Sequence, residues 1–196
     1  MGNHCYSKSE INEHIDDMNR LVVPYNHEKR ISDNYYRIIT YKGIKFCLTN
    51  ILGLALMPES NMDPYEAFKT VLDKTIDDNP DFYFVDLHAE TTAEKRIFAE
   101  YFKDKAKVVV GTHTHIQTAD ERMIDDVAFI TDVGMCGTYD SVIGRDIEES
   151  ILINVEHQKT HFSVALGEPI FCGVVIEIDD KLKIPTLIKR IQIRPY

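Results

Sequence analysis

The sequence lacks paired cysteines, long apolar runs and an excess of positive charge, and each absence excludes a class of protein. Its four cysteines are scattered without a C-x-x-C pair, which is typical of reduced thiols in a cytoplasmic protein and not of a disulfide framework or zinc knuckle. No apolar run approaches the length of a bilayer span, and no basic stretch followed by an apolar core marks a secretory signal. The sequence therefore predicts a cytoplasmic protein with no membrane span.

The charge balance limits the substrate. Lys and Arg sum to 22 and Asp and Glu to 32, so the formal net charge is −10. This acidity argues against a long nucleic acid, because sequence-independent binding needs clustered cations. A small phosphate substrate is not excluded, because a bound metal reverses the field locally. The chain has no glycine-rich phosphate loop with a lysine and no serine nucleophile elbow.

Length and patterning predict one α/β domain with a mixed sheet over residues 1–196, with no repeat or linker. Capping-box spacings (Ser7 with Glu10, Thr91 with Glu94) and Asp63-Pro64 begin helices, and Lys42-Gly43 indicates a hairpin. The segment 51–62 is predicted to be a loop. The predicted helices cover 7–17, 63–78, 91–105 and 146–155, and the predicted strands cover 21–24, 35–41, 44–49, 82–87, 108–110, 128–131, 173–178 and 184–193.

Histidines follow two of the predicted buried strands. Ligands bind outside the carboxyl ends of strands in open α/β sheets. Residues two apart in an extended chain point to one side, so His113 and His115 can present two imidazoles to one cavity, with His88 as a third from a neighbouring strand. Imidazole binds first-row metals, and oxygen donors favour manganese or iron. The placement predicts a shared metal site, although a lone His-x-His is more often incidental and a lone histidine more often bonds backbone.

Other polar residues leave two interpretations open. Asp86 and Asp132 are either partners that orient a ligating histidine or strand-end residues. Glu90 either joins the site or begins the next helix. The loop 138–140 either lines a pocket or is ordinary surface, the second being preferred. His14, His27, His157 and His161 are interpreted as solvated.

Four blocks of sequence carry a family resemblance. MGNH (1–4), DLHAE (86–90), GTHTHIQTAD (111–120) and ITDVGM (130–135) resemble the calcineurin-like metallophosphoesterase superfamily, and within it the bacterial YmdB-like branch of cyclic-nucleotide phosphodiesterases with two-metal centres. The resemblance extends from residue 1 almost to the C-terminus. It implies an αββα sandwich of mixed sheets.

The resemblance also implies residue roles. Asn3, His88 and His113 would bind one metal ion, His115 would bind the other, and His4 would be the general acid that protonates the leaving alkoxide or steadies the phosphate. The cofactors implied for the family are two divalent ions, iron or manganese, that clamp the phosphoryl oxygens and generate hydroxide for in-line attack.

The chain departs from the family pattern at its beginning. Members of the family begin with a strand carrying Gly-Asp and a second carrying Gly-Glu-Asn, before the Gly-Asn-His block with which this sequence starts. We therefore expect a sandwich that is incomplete at the N-terminus and a chain that holds one ion or none. Three explanations of the missing blocks are open. The sequence is a fragment of a longer reading frame, which is the preferred explanation, or the gene is split and a separate N-terminal polypeptide completes the site. The third is a genuine short form. An exposed sheet edge would favour a homo-oligomer.

The predicted function is that of a metal-dependent phosphodiesterase acting on 2′,3′-cyclic nucleotides by two-metal hydroxide attack. One alternative is a catalytically impaired or regulatory metal-binding protein. It is favoured by the absence of the Gly-Glu-Asn block, whose glutamate would, by the resemblance, bridge the two metal ions. Another is a phosphatase or nuclease of the same superfamily.

Overall fold

The computed structural model describes residues 1–161 and 163–196. Its helices are α1 (Ser9–Asn12), α2 (Pro64–Lys74), α3 (Thr92–Tyr101) and α4 (Ile147–Asn154), with 3-10 turns at Ile15–Asp17 and Ile76–Asp78. Its strands are β1 (Tyr36–Tyr41), β2 (Ile44–Leu52), β3 (Phe82–His88), β4 (Ala106–Thr112), β5 (Arg122–Ile124), β6 (Val127–Ile130), β7 (Gly137–Thr138), β8 (Pro169–Ile178) and β9 (Pro185–Ile193). Within the described ranges, no helix has both the length and the apolar character that a membrane crossing requires.

The predicted mixed sheet is confirmed. Six strands pair in the order β1-β2-β3-β4-β6-β5. The inner strands β2, β3, β4 and β6 run parallel, whereas β1 and β5 are antiparallel edge strands. A second, antiparallel sheet has the order β7-β8-β9.

The two faces of the large sheet have different partners. Helices α2 and α3 cover one face, where Phe68 and Phe98 are fully buried in one apolar cluster with sheet residues such as Val109. The second sheet covers the opposite face, where Ile188 joins a cluster that includes Val108. Because side chains alternate along a strand, neighbouring residues of β4 serve both clusters. The described chain therefore contains three layers of the expected sandwich, a helical layer and two sheets.

Two local predictions are confirmed by their geometry. Lys42 and Gly43 both have positive φ angles, 49° and 81°, as a two-residue hairpin turn between β1 and β2 requires. The carboxylate of Asp63 caps α2 by accepting hydrogen bonds from the backbone N–H groups of Tyr65 and Glu66, and Pro64 occupies the first turn.

The N-terminal predictions are wrong in two places. The helix expected over 7–17 is reduced to α1 and a 3-10 turn, and the N-cap residue of α1, Lys8, has no side-chain acceptor with which to cap it. The 3-10 turn places Ile15 in the core, with no exposed surface. The expected strand over 21–24 does not form. Pro24, which has no backbone N–H to donate, makes only an isolated bridge to Asn50.

Other boundaries differ more modestly. Helix α2 ends at Lys74, where the Thr75 hydroxyl donates to the Val71 carbonyl and the chain tightens into a 3-10 turn. Helix α3 ends at Tyr101 because the chain turns back toward β4, with the N–H of Ala106 bonded to the carbonyl of Phe102. Residues 51 and 52, predicted as loop, belong to β2, and the short strands β5 and β7 were not predicted.

Parallel pairing brings the carboxyl ends of the inner strands to one edge of the large sheet. Leu52 pairs with His88, and His88 pairs with Thr112, so that β2, β3 and β4 end level with one another. The polar clusters that follow β3 and β4 in the sequence therefore meet in space, as predicted.

Candidate metal centre

A cavity of about 460 Å³ lies at this edge of the large sheet and is lined by all five residues to which the family resemblance gives a role. It is lined by Gly2, Asn3, His4, His88, Glu90, His113, Thr114, His115, Ile143 and Arg145. The five residues therefore share one cavity, and their roles as metal ligands and general acid stay a prediction. Ile143 and Arg145, which come from the loop before α4, carried no signal in the sequence.

His88 lies at the centre of the cluster. Its Nε2 is 3.0 Å from the Oδ1 of Asn3 and 3.1 Å from the Nδ1 of His113. Its Nδ1 is 2.8 Å from the hydroxyl of Thr112. Gly2 makes this approach feasible, because a Cβ at residue 2 would lie 2.3 Å from Cε1 of His88.

A chain of hydrogen bonds determines which nitrogen of His88 carries the proton. The hydroxyl of Thr112 donates to Oδ1 of Asp86 at 2.7 Å, and Asn50 donates to Oδ2 at 2.7 Å. The Thr112 oxygen therefore accepts from Nδ1–H of His88, which leaves a lone pair on Nε2. Of the two interpretations of Asp86, this geometry favours a partner that orients a histidine, acting through Thr112.

Both histidines of the cluster are held neutral. Burial is the main cause that lowers the pKa of His88 from 6.5 to about 3, and the neighbouring His113 adds to it. Burial also lowers the pKa of His113, although the nearby carboxylate of Glu90 opposes this shift. Neutral imidazoles are the form that binds metal ions.

Asn3 is held in place by a histidine interpreted from the sequence as solvated, and that interpretation is wrong. His27 is only 2% exposed, and its Nε2 lies 2.8 Å from the backbone carbonyl of Asn3. The backbone N–H of Lys29 donates to Nδ1 of His27, so the proton on Nε2 is the one given to Asn3. His14, His157 and His161 are exposed, as predicted.

The two histidines of the GTHTH block reach the cavity in a way that the extended-chain argument does not describe. His113 and His115 have φ angles of 103° and 68°, so this segment is a strained loop and not extended chain. His113 contacts His88 and also places Nε2 3.1 Å from Oε2 of Glu90. His115 is exposed, and its Nδ1 is 2.9 Å from the carbonyl of Ile143.

The cluster consists of two imidazoles and one amide oxygen. Over residues 1–161 and 163–196, no three His, Cys, Asp or Glu side chains form a group that could hold a metal ion. His4 lies exposed at the rim of the cavity. Within the loop 138–140, Tyr139 lines a neighbouring cavity of about 210 Å³ that also touches His115.

One charged residue beneath the cavity was missed. Lys95 is fully buried and forms an ion pair with Asp132. A signal was present in the sequence, because Lys95 occupies the same helical stripe as the apolar Phe98 and Ala99. Asp132 itself bonds to Thr114 and not directly to a histidine.

Comparisons with known proteins identify the family. The family model for YmdB-like proteins matches residues 1–191. The 2′,3′-cyclic-nucleotide 2′-phosphodiesterase of Bacillus subtilis (strain 168) is 38% identical over 194 residues, which cover 98% of this chain and 73% of that protein.

Two solved structures share the fold. One, described as a novel phosphatase from Mycoplasma pneumoniae, matches with a TM-score of 0.87 at 32% identity, over 98% of this chain and 70% of that chain. The other, a hypothetical protein from Thermus thermophilus, matches with a TM-score of 0.87 at 27% identity, over 98% of this chain and 74% of that chain. These matches confirm the predicted fold class and the resemblance, and the chain belongs to the YmdB-like family.

Proposed function

We propose that this protein is a metal-dependent phosphodiesterase that hydrolyses 2′,3′-cyclic nucleotides. The observation that carries the proposal is the position of His88 Nε2 at the carboxyl edge of the sheet, 3.0 Å from Asn3 Oδ1 and 3.1 Å from His113 Nδ1. The named activities of the relatives, a cyclic-nucleotide phosphodiesterase and a phosphatase, support hydrolysis of a small phosphoester.

The donor set fits one divalent cation. Two neutral nitrogens and an amide oxygen are a mixed set that suits manganese or iron. The carboxylate of Glu90 lies against the other ring nitrogen of His113, Nε2. The proposed ligands of this ion are Asn3, His88 and His113. For a second ion we propose His115, which lines the same cavity. A cation bound here would neutralise phosphoryl oxygens and acidify water.

The chain's own residues prepare the site for that chemistry. Asp86 and Thr112 keep the proton of His88 on Nδ1, and His27 holds the backbone of Asn3. Arg145 also lines the cavity, and its positive charge complements a phosphodiester. We assign His4, at the open rim, to proton donation to the leaving alkoxide, a role that typically contributes about 10²–10⁴-fold in rate.

The decisive experiment is hydrolysis of 2′,3′-cyclic AMP supported by Mn(II) or Fe(II). His113→Ala should abolish turnover, because it removes one of three proposed protein ligands. His14→Ala is the matched control, since this exposed histidine does not line the cavity, and it should leave the rate unchanged. A full rate in His113→Ala would contradict the proposed site.

A phosphomonoester measured beside the cyclic nucleotide tests the second candidate, a phosphatase, which the Mycoplasma pneumoniae relative favours. Faster hydrolysis of the monoester would replace the proposed substrate class. Mn(II) binding without turnover of either substrate would favour the regulatory alternative.

A further inference from the structure

A buried ion pair lies directly beneath the loop that carries His113 and His115. Lys95 projects from the first turn of α3, and its Nζ lies 3.1 Å from Oδ2 of Asp132, just beyond the end of β6. The two side chains are 0% and 1% exposed. Charged side chains are almost never this buried unless they are paired. A buried ion pair adds little to the free energy of unfolding, because the cost of removing both charges from water offsets their attraction. Stability alone therefore does not account for this pair.

Asp132 uses its carboxylate to hold the residue between the two histidines. Its Oδ2 accepts hydrogen bonds from the backbone N–H of Thr114 at 3.0 Å and from the Thr114 hydroxyl at 2.8 Å. Its Oδ1 accepts from the N–H of Gly134 at 2.9 Å. Oδ2 thus holds the loop that borders the cavity, and Oδ1 holds the loop that follows β6.

The segment held in this way is strained. His113 and His115, on either side of Thr114, have φ angles of 103° and 68°, which side chains with a Cβ adopt only at a cost in energy. Such conformations persist only where surrounding contacts over-determine them. The two hydrogen bonds from Thr114 to Asp132 are contacts of this kind.

The path of Lys95 is built into the sheet. A Cβ at Gly111 would lie 2.8 Å from Cδ of Lys95 and 1.7 Å from the carbonyl oxygen of Thr131. The absent side chain leaves room for the lysine stem to pass β4 and reach Asp132. The lysine compensates the charge of a carboxylate that would otherwise be buried alone.

We propose that Lys95 and Asp132 are positioning residues that hold the His113–His115 loop in the conformation that presents its imidazoles to the cavity. Lys95 forms an ion pair with Asp132 in the interior, and Asp132 clamps Thr114 by accepting its two hydrogen bonds. The inference rests on the proposed function for the part that concerns metal binding, and on geometry alone for the clamp.

Two readouts test the proposal in Asp132→Asn and Thr114→Val. In the metal-free protein, the backbone amide of residue 114 should exchange about tenfold faster or more than in the wild type. Asp132→Asn removes the charge from the acceptor of that amide, and Thr114→Val removes the second hydrogen bond, from the hydroxyl to Asp132. The affinity for Mn(II) should fall about 10–100-fold, the usual effect of losing a group that orients metal ligands. Thr114→Ser keeps the hydroxyl and should restore both values.

A variant that destabilises the fold away from the cavity separates a positioning role from a general loss of stability. Val71→Ala removes a fully buried side chain from α2, which does not line the cavity. The proposal is overturned if Thr114→Val and Asp132→Asn change exchange and affinity no more than Val71→Ala does. If the wild-type chain binds no Mn(II), the proposed function fails, whereas the exchange comparison still decides whether the clamp exists.

Discussion

The low pKa of His88 predicts a specific loss of stability in acid. In the unfolded chain the imidazole has its ordinary pKa of 6.5, whereas burial beside His113 lowers it to about 3 in the folded protein. Below pH 6.5 the unfolded state therefore binds a proton that the native state does not. The contribution of His88 to the free energy of unfolding is fully present above pH 6.5 and is lost as the pH falls toward 3.

The magnitude follows from the two pKa values. With the native pKa near 3, acidification from pH 7 to pH 5 should lower the free energy of unfolding by about 2 kcal/mol through His88 alone. His88→Asn keeps a side-chain donor for Thr112 and has no titrating ring. The variant should therefore lose about 2 kcal/mol less than the wild type over the same interval.

Urea unfolding in the presence of a chelator measures this difference. The chain has no tryptophan and 10 tyrosines, so circular dichroism and tyrosine fluorescence at pH 7, 6 and 5 are suitable probes. His14→Asn, at an exposed position, should keep the wild-type slope. Equal losses in the wild type and His88→Asn would show that native His88 takes up the proton, and would refute the argument from burial and from the Thr112 hydrogen bond.

Three further changes have expected outcomes. Phe68→Ala leaves a cavity between α2 and the large sheet and should lower the free energy of unfolding by about 3–5 kcal/mol in urea titrations. Gly43→Ala introduces a Cβ into open space at a φ of 81°, so the melting curve should report a purely backbone cost of about 1–2 kcal/mol. Asp86→Asn weakens the hydrogen bonds that orient His88, and calorimetric titration with Mn(II) should show about 10–100-fold lower affinity, with an unchanged value contradicting the orienting role.

Much of the fold could be predicted because its signals are local. The hairpin at Lys42-Gly43 and the capped start of α2 depend on residues within a few positions of each other. The inner strands appear as short apolar runs, and parallel strands necessarily end at a common edge. That reasoning was enough to bring His88 and His113 together. Strands β5 and β7 were missed because, at three and two residues, they are too short to show an alternation of apolar and polar side chains.

The histidines show where local reasoning fails. His27 is like other isolated histidines in the sequence, yet it is buried and bonded to the carbonyl of Asn3. Because this partner lies 24 residues away, no local pattern reveals it. His113 and His115 share the cavity through positive φ angles that an alternating pattern does not represent. Lys95 is buried in an ion pair with Asp132, which lies 37 residues along the chain, so the pairing has no local signal.

The residue types at the strand ends, and with them the chemistry available to the site and the family of the chain, can be read from the sequence alone. The three-dimensional arrangement is needed to establish which nitrogen of His88 is free, which histidine supports Asn3, and how the His113–His115 loop is held. The physical reason is that protonation and orientation depend on burial and on hydrogen-bond partners distant in the chain, which no periodicity of the sequence records.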